Sequence, residues 1–345
     1  MLNRVEHGSV RAALDPYTRP TRLMAFLTAR RSAAVARTAA LLLAATQLVS
    51  CAKRDEGKFV VGFSQMESDN PWRIAQTKSL RDEAAKRGVE LVVTDAQGQT
   101  AKQVSDVEDL IARRVNIILL APREFEGLAP ALLAAREADI PVILVDREAA
   151  GTPGEDFVTF LGSNFVEQGK RAAEWLAKET NGQANIVEPT GTPGSSVASD
   201  RAKGFKDEIA KYPGMKILAS QTGDFSRATA QRVMQNIAQS LGKQITAIYA
   251  HNDEMALGAI EAIKAAGLKP GADVTVVSID GQRAALEAIQ RGELGATVES
   301  NPRFGPIAFE TIEQIRQGQQ VPPKKLITDR FFDRTNAAQF VAEAY

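Results

Sequence analysis

Three observations predict an α/β protein made of two doubly wound, Rossmann-like lobes with parallel sheets, joined by a multi-strand hinge. Short β-branched runs alternate with amphipathic segments of helical length from Lys58 onward. The runs number about ten, more than one compact open sheet holds comfortably. Three of them break abruptly into polar groups: Val142-Ile143-Leu144-Val145 into Asp146-Arg147, Ile245 to Tyr249 into Ala250-His251-Asn252-Asp253, and Val276-Val277-Ser278-Ile279 into Asp280-Gly281. Polar groups at the carboxyl ends of parallel strands are where open α/β sheets collect ligands.

Taken in order, the expected strands are 59–63, 90–94, 117–121, 142–146, 157–162, 185–188, 216–220, 245–249 and 274–279, most of them near-continuous apolar runs suited to strands covered on both faces. Helical patterns run over 74–87, 101–113, 169–180, 202–212, 228–240 and 253–266. Gly88, Gly182, Gly214 and Gly267 stand where these helices should end in a left-handed cap. Repeated βα order demands right-handed crossovers. The chain passes between lobes near 157–162, 296–303 and 329–333. The expected division is an export signal over 1–51, a first lobe of 58–162 plus 300–328, and a second of 163–299 plus 329–345. No low-complexity linker separates the halves, which suits bending over independent tumbling.

Of 345 residues, 44% are hydrophobic and 24% charged, with no formal net charge, which argues against nucleic acid or an anionic membrane as the main partner. Residues 1–50 hold seven of the 42 basic and two of the 42 acidic residues, so the remainder is mildly acidic. Arg30, Arg31 and Arg37 precede an apolar run, Thr38 to Val49, too short to span a bilayer; this reads as an export signal. The one cysteine, Cys51, follows in Leu48-Val49-Ser50-Cys51, which resembles a lipobox and implies lipidation, with ordinary cleavage after Ala52 as the alternative. The expected location is periplasmic or otherwise extracytoplasmic.

Further segments carry a resemblance: Val61-Gly62-Phe63-Ser64-Gln65, Trp72-Arg73, Gly191-Thr192-Pro193-Gly194 through Asp200-Arg201-Ala202-Lys203-Gly204-Phe205, and Gly223-Asp224-Phe225, together with the three strand ends above. In their order and spacing the chain resembles the periplasmic sugar-binding proteins of ABC importers, of the ribose/galactose type (periplasmic binding protein type 1), most nearly the galactofuranose-binding member. The resemblance implies a ligand site of Trp72, Arg73, Asp146, Arg147, Arg201, Phe225, Asn252, Asp280 and Glu299. Ribose-type members carry two aromatics where this chain has Trp72 and Arg73, a departure that exchanges a stacking face for a fork of donors. It also implies a permease of the inner membrane as partner, a monomeric protein, and no cofactor, metal or nucleic acid.

The residue types suit that role. A sugar hydroxyl both donates and accepts, so carboxylates, guanidinium forks and an amide are its natural partners, and Trp72 and Phe225 can cover an apolar ring face. Three acids and three bases cancel, which fits a neutral sugar better than a phosphosugar, an amino acid or a metal, and Trp72-Arg73 with Gly223-Asp224-Phe225 favours a hexose over ribose. Taken singly, Arg147 and Arg201 read as surface ion pairs, Asp253 as a helix cap, His251 as a group ordering a strand end, and Trp175 as core. An enzyme finds no nucleophile elbow or paired metal-ligand spacing here. A repressor would need a helix-turn-helix in place of the export signal. A sensor presenting sugar to a chemoreceptor or kinase uses the same binding physics and stays open.

Overall fold

The computed structural model describes residues 58–345; the segment expected to be an export signal, with Cys51, lies outside the described residues. Two six-stranded sheets divide the strands. The first contains β1 (Val60–Gln65), β2 (Glu90–Asp95), β3 (Ile117–Leu120), β4 (Val142–Val145), β5 (Thr159–Ser163) and β11 (Lys324–Ile327), in the order β11-β5-β4-β3-β1-β2. The second contains β6 (Gln183–Thr190), β7 (Gly214–Thr222), β8 (Ala247–Tyr249), β9 (Thr275–Asp280), β10 (Ala296–Glu299) and β12 (Phe331–Asp333), in the order β12-β10-β9-β8-β6-β7. Each sheet therefore repeats one winding, its first strand flanked by its second and third. The winding reverses at β1/β3 and β6/β8, and the crevices outside these reversal points are where doubly wound sheets bind ligands.

The first sheet is parallel throughout, whereas β12 runs antiparallel to β10. That reversal arises because the chain returns from the first sheet at β11 and enters the second from its hinge end. Strand β11 was not among the expected strands: Lys324-Lys325-Leu326-Ile327 is an exposed edge with no continuous apolar run.

Helices α1 (Pro71–Arg87), α2 (Thr100–Ala112), α3 (Ala129–Glu137), α4 (Phe165–Glu179), α5 (Ser196–Ile209), α6 (Arg227–Leu241), α7 (Asp253–Ala265), α8 (Arg283–Gln290), α9 (Gly305–Arg316) and α10 (Ala337–Phe340) cover the sheets. The helices bury a stripe, while the interior strands β3, β4 and β5 are buried at every residue. The apolar core of β1, α1 and α9 includes Phe63, Leu80 and Phe309; that of β6, α4 and α5 includes Ile186, Leu176 and Phe205. Gly88 closes α1 with φ 65°, its N–H reaching Ala84 and Ala85. Gly214 is no cap: it opens β7, held there by the Gln183 side chain, which fills the place of a Cβ. Trp175 is half-buried at the margin of the second core, its indole lying over Gly295, where the bare α-carbon makes room for the ring.

Candidate functional site

The strand ends meet in one cleft. It is lined by Glu67, Asn70, Trp72, Arg73, Asp146 and Arg147 from the first lobe and by Val197, Arg201, Phe225, Asn252 and Asp280 from the second, with Ser300 where the chain crosses between them. Eight of the nine expected residues line it, and all eight are buried.

Each is placed by its local fold. Asn70 caps α1, its side chain accepting from the Trp72 N–H at 2.9 Å, and Pro71 supplies the first helical residue, so Trp72 and Arg73 project from the opening turn. Trp72 Nε1 donates to the Ser300 carbonyl at 2.7 Å, fixing the indole edge. Asp146 follows β4 at φ 67°, Asp224 and Phe225 follow β7 at φ 53° each, and Asp280 ends β9 at φ 137°. Non-glycine residues in this region cost on the order of 1–3 kcal/mol each and collect where geometry serves a ligand. The Phe225 ring occupies the space that a Cβ on Gly191 would need, 2.0 Å away, so the glycine is a steric requirement of the aromatic wall.

The charges pair across short distances. Arg73 Nη2 lies 2.7 Å from Asp146 Oδ2, and Arg201 Nη2 lies 3.4 Å from Asp280 Oδ1. Arg201 also donates to the His251 carbonyl at 2.6 Å and to Gln168 Oε1 at 3.0 Å. Arg147 Nη1 donates to the Arg123 carbonyl at 2.7 Å, while its buried Nε has no hydrogen-bond partner among the described residues, Asp146 Oδ2 standing 4.0 Å away. Its guanidinium stands 5.3 Å above the Phe225 ring. Burial and the neighbouring Arg73 cation push Arg147 down to about 9, against the pull of Asp146 and Glu67. Burial likewise holds the Asp280 carboxyl well above the carboxylate range, with Arg201 opposing and the Asp253 and Asp146 carboxylates adding to the rise. A buried donor without an acceptor and a carboxylate short of donors are both groups that a hydroxylated guest would satisfy.

Asn252 lines the cavity but is partly committed. Its carboxamide oxygen accepts from the Met255 N–H at 3.0 Å, capping α7, and its nitrogen donates to the Phe225 carbonyl at 3.3 Å, leaving one N–H. The cap expected of Asp253 therefore belongs to Asn252. Asp253 instead lies fully buried beneath the cleft, accepting from Ser278, Thr297 and the Gln282 N–H. His251 does order its strand end: Nδ1 accepts from the Gly191 N–H at 3.3 Å, so Nε2 carries the proton toward Glu188 at 3.1 Å. Burial lowers its pKa, and the neutral imidazole holds the Gly191 turn against Phe225.

Glu299 does not line the cavity. Arg330 grips its carboxylate, Nη2 at 2.8 Å and Nε at 3.0 Å with the Arg330 N–H also at 3.0 Å, which makes it a clamp between β10 and the last crossing strand. Glu67, which no sequence signal singled out, takes its place in the lining, and the balance of three acids and three bases is kept. The lobes also touch around the mouth: Asn70 Nδ2 donates to the Phe225 carbonyl at 3.3 Å, the Phe125 N–H to Gly194 at 2.8 Å, and the Glu148 N–H to Ser196 Oγ at 3.0 Å. This is a shut cleft. Among the described residues no group of three His, Cys, Asp or Glu could hold a metal ion, and no helix is long and apolar enough to cross a membrane.

Two twin-wound lobes closed over a buried polar cavity define the class of two-lobed solute-binding proteins. Residues 61–320 match the periplasmic binding protein domain, and the chain belongs to that family. The galactofuranose-binding protein YtfQ of Escherichia coli K12 is 41% identical over 271 residues, covering 78% of this chain and 85% of its own length. The periplasmic binding component of an arabinose ABC transporter from Shewanella sp. ANA-3, solved with α- and β-L-arabinofuranose, superposes with a TM-score of 0.80 at 39% identity, over 82% of this chain and 95% of that one. A Mycobacterium smegmatis protein in complex with β-D-fucofuranose gives 0.79 at 37% identity, over 82% and 94%.

Proposed function

We propose that the protein captures one neutral monosaccharide in the cleft, with no chemical step, and hands it to the permease of an ABC importer. The observation that carries this is the convergence, from both lobes, of the Arg73–Asp146 and Arg201–Asp280 pairs on a cavity with Arg147 Nε unpartnered. Each pair sets an acid against a guanidinium, so neither offers a free ionic partner to a charged guest. A guest that hydrogen-bonds both lobes favours the closed arrangement by the contacts it makes only there. The lobes we assign are 58–162 plus 300–328 and 163–299 plus 329–345, which keep β11 with the first sheet and β12 with the second.

The relatives named above bind galactofuranose, arabinofuranose and fucofuranose, which makes a furanose, with galactofuranose foremost, the first ligand to test. The mature protein would be exported, anchored through lipidated Cys51, and act as a monomer. A thermal-shift screen of pentoses and hexoses tests the reading. A sugar at 100 times its Kd stabilises the native state by about 2.7 kcal/mol and raises the melting temperature accordingly. A screen in which no monosaccharide shifts the transition overturns it.

A further inference from the structure

Glu67 is the cavity residue whose chemistry is left unspent. It sits two residues beyond β1, partly buried, and lines the cavity beside Arg147. Every other carboxylate there has a cationic partner: Asp146 has Arg73 and Asp280 has Arg201. Glu67 has neither a hydrogen bond nor an ion pair among the described residues. Its carboxylate faces the turn at Gly98, φ 69°, where a Cβ would lie 3.8 Å from both Glu67 Oε2 and Arg123 Nε. Arg123 gives its Nε to the Gly98 carbonyl at 2.9 Å and its Nη2 stands 3.9 Å from Asp224, while its buried Nη1 has no hydrogen-bond partner among the described residues and can join Arg147 at this end. The second unspent group lines the same cavity. Arg147 is almost wholly buried and keeps its Nε without a hydrogen-bond acceptor, Asp146 Oδ2 standing 4.0 Å away.

A carboxylate without a partner and a guanidinium N–H without a hydrogen-bond acceptor, lining one cavity, match one chemical group, a hydroxyl, which donates to the first and accepts from the second. This end differs from the rest of the site. Asp146, Arg73, Arg201, Asp280, Trp72 and Phe225 form a buried, mutually paired shell suited to a ring, whereas Glu67 stands nearer the rim, outside that shell. A hydroxyl reaching it has to be carried on an arm that projects from the ring. We propose that Glu67, with Arg147 Nε, forms a subsite for the terminal hydroxyl of a sugar's exocyclic arm, and so selects six-carbon sugars that keep this hydroxyl over their deoxy or shorter counterparts. The inference rests on the cleft being a monosaccharide site.

The test is a thermodynamic cycle between protein and sugar, read by isothermal titration calorimetry with D-galactose and 6-deoxy-D-galactose (D-fucose) on wild-type protein, Glu67→Ala and Glu67→Gln, with L-arabinose as a third ligand. A hydrogen bond to a charged group corresponds to about ten- to a hundredfold in affinity. Wild type is expected to prefer galactose to fucose by about that factor. Glu67→Ala weakens galactose about tenfold or more beyond its effect on fucose, so the preference collapses, and Glu67→Gln, which keeps a neutral acceptor, falls between. Any minor ring form scales a given sugar's apparent Kd equally for all variants and cancels in the ratio to wild type. Equal weakening of both sugars by Glu67→Ala overturns the subsite, as does no weakening at all. Binding of L-arabinose with neither six-carbon sugar overturns it while leaving the sugar reading intact. Binding of none of the three overturns the subsite, while the monosaccharide reading falls only if the wider screen of pentoses and hexoses also finds no ligand.

Discussion

Gly204→Ala adds one methyl group far from the cavity opening, yet it is predicted to disable the site. Helices α4 and α5 cross at Gly169 and Gly204. A Cβ on Gly204 would fall 1.9 Å from the Val166 carbonyl oxygen, and one on Gly169 2.2 Å from that of Arg201. Carbon and oxygen come no closer than about 3.3 Å without repulsion, so the helices must part by about 1.4 Å. Alanine in a helix interior gains roughly 1 kcal/mol over glycine. Overpacking costs about 1–3 kcal/mol, and here the obstacle is rigid backbone, which puts the cost at the upper end or above. The displacement also reaches Arg201, one turn earlier on α5, whose Nε bridges the two helices to Gln168 on α4 at 3.0 Å. Opening that distance by more than an ångström breaks the bond and moves the guanidinium relative to Asp280. The expected result is a net loss of about 2–3 kcal/mol in urea denaturation and a sugar affinity at least about tenfold weaker by calorimetry. A Gly204→Ala protein with wild-type stability and wild-type affinity would refute the claim that this close helix crossing positions Arg201.

Three further outcomes follow from the same geometry. Asp280→Ala removes two acceptor oxygens and leaves Arg201 Nη2 without its carboxylate, so affinity should fall by about a hundredfold or more with the circular dichroism spectrum unchanged; affinity within a few-fold of wild type would take Asp280 out of the site. Glu299→Gln should lower the melting temperature through its loosened grip by Arg330 while changing sugar affinity less than about threefold, whereas a large affinity loss would return Glu299 to direct contact. Asp329, buried where it accepts from Ser163 and Gln168, has its carboxyl pushed up to about 6, chiefly by that burial. Its folded pKa stands above the unfolded one, so the native state holds the extra proton and stability falls as pH rises through about 6. The stability of Asp329→Asn relative to wild type should therefore improve between pH 5 and pH 7.5 in denaturant titrations, and a flat difference would contradict the raised pKa.

The winding of both sheets was legible because interior strands must be apolar on both faces, and Ile117–Leu120 and Val142–Val145 announce themselves by composition alone. The polar ends of these strands marked Asp146, Asn252 and Asp280 as cleft residues for the same reason, since a parallel strand delivers its last residues to one edge. What escaped was long-range or edge-bound. Glu299 stands at a strand end like the others, but its partner Arg330 comes from a crossing strand 31 residues later, and no local pattern reports that pairing. Strand β11 opens on two lysines and buries none of its four residues fully, and α3 lies in an alanine-rich stretch with little periodic contrast. Asn252 and Asp253 are adjacent and both able to cap; only the backbone decided which did. Glu67 could have been found by applying the strand-end rule to β1, where the apolar run of Val60–Phe63 gives way to Ser64 and Gln65 and, past the buried Met66, to Glu67.

Small-angle scattering on the mature protein, titrated with D-galactose, addresses the closing of two lobes on a shared guest. The shut cleft described here, bridged from Asn70 to Phe225 and from Phe125 to Gly194, predicts that the ligand-free protein in solution is on average more open and that its radius of gyration decreases to a plateau as the sugar saturates. Stoichiometric sugar binding, verified by calorimetry on the same sample, with a radius of gyration that does not change would contradict it.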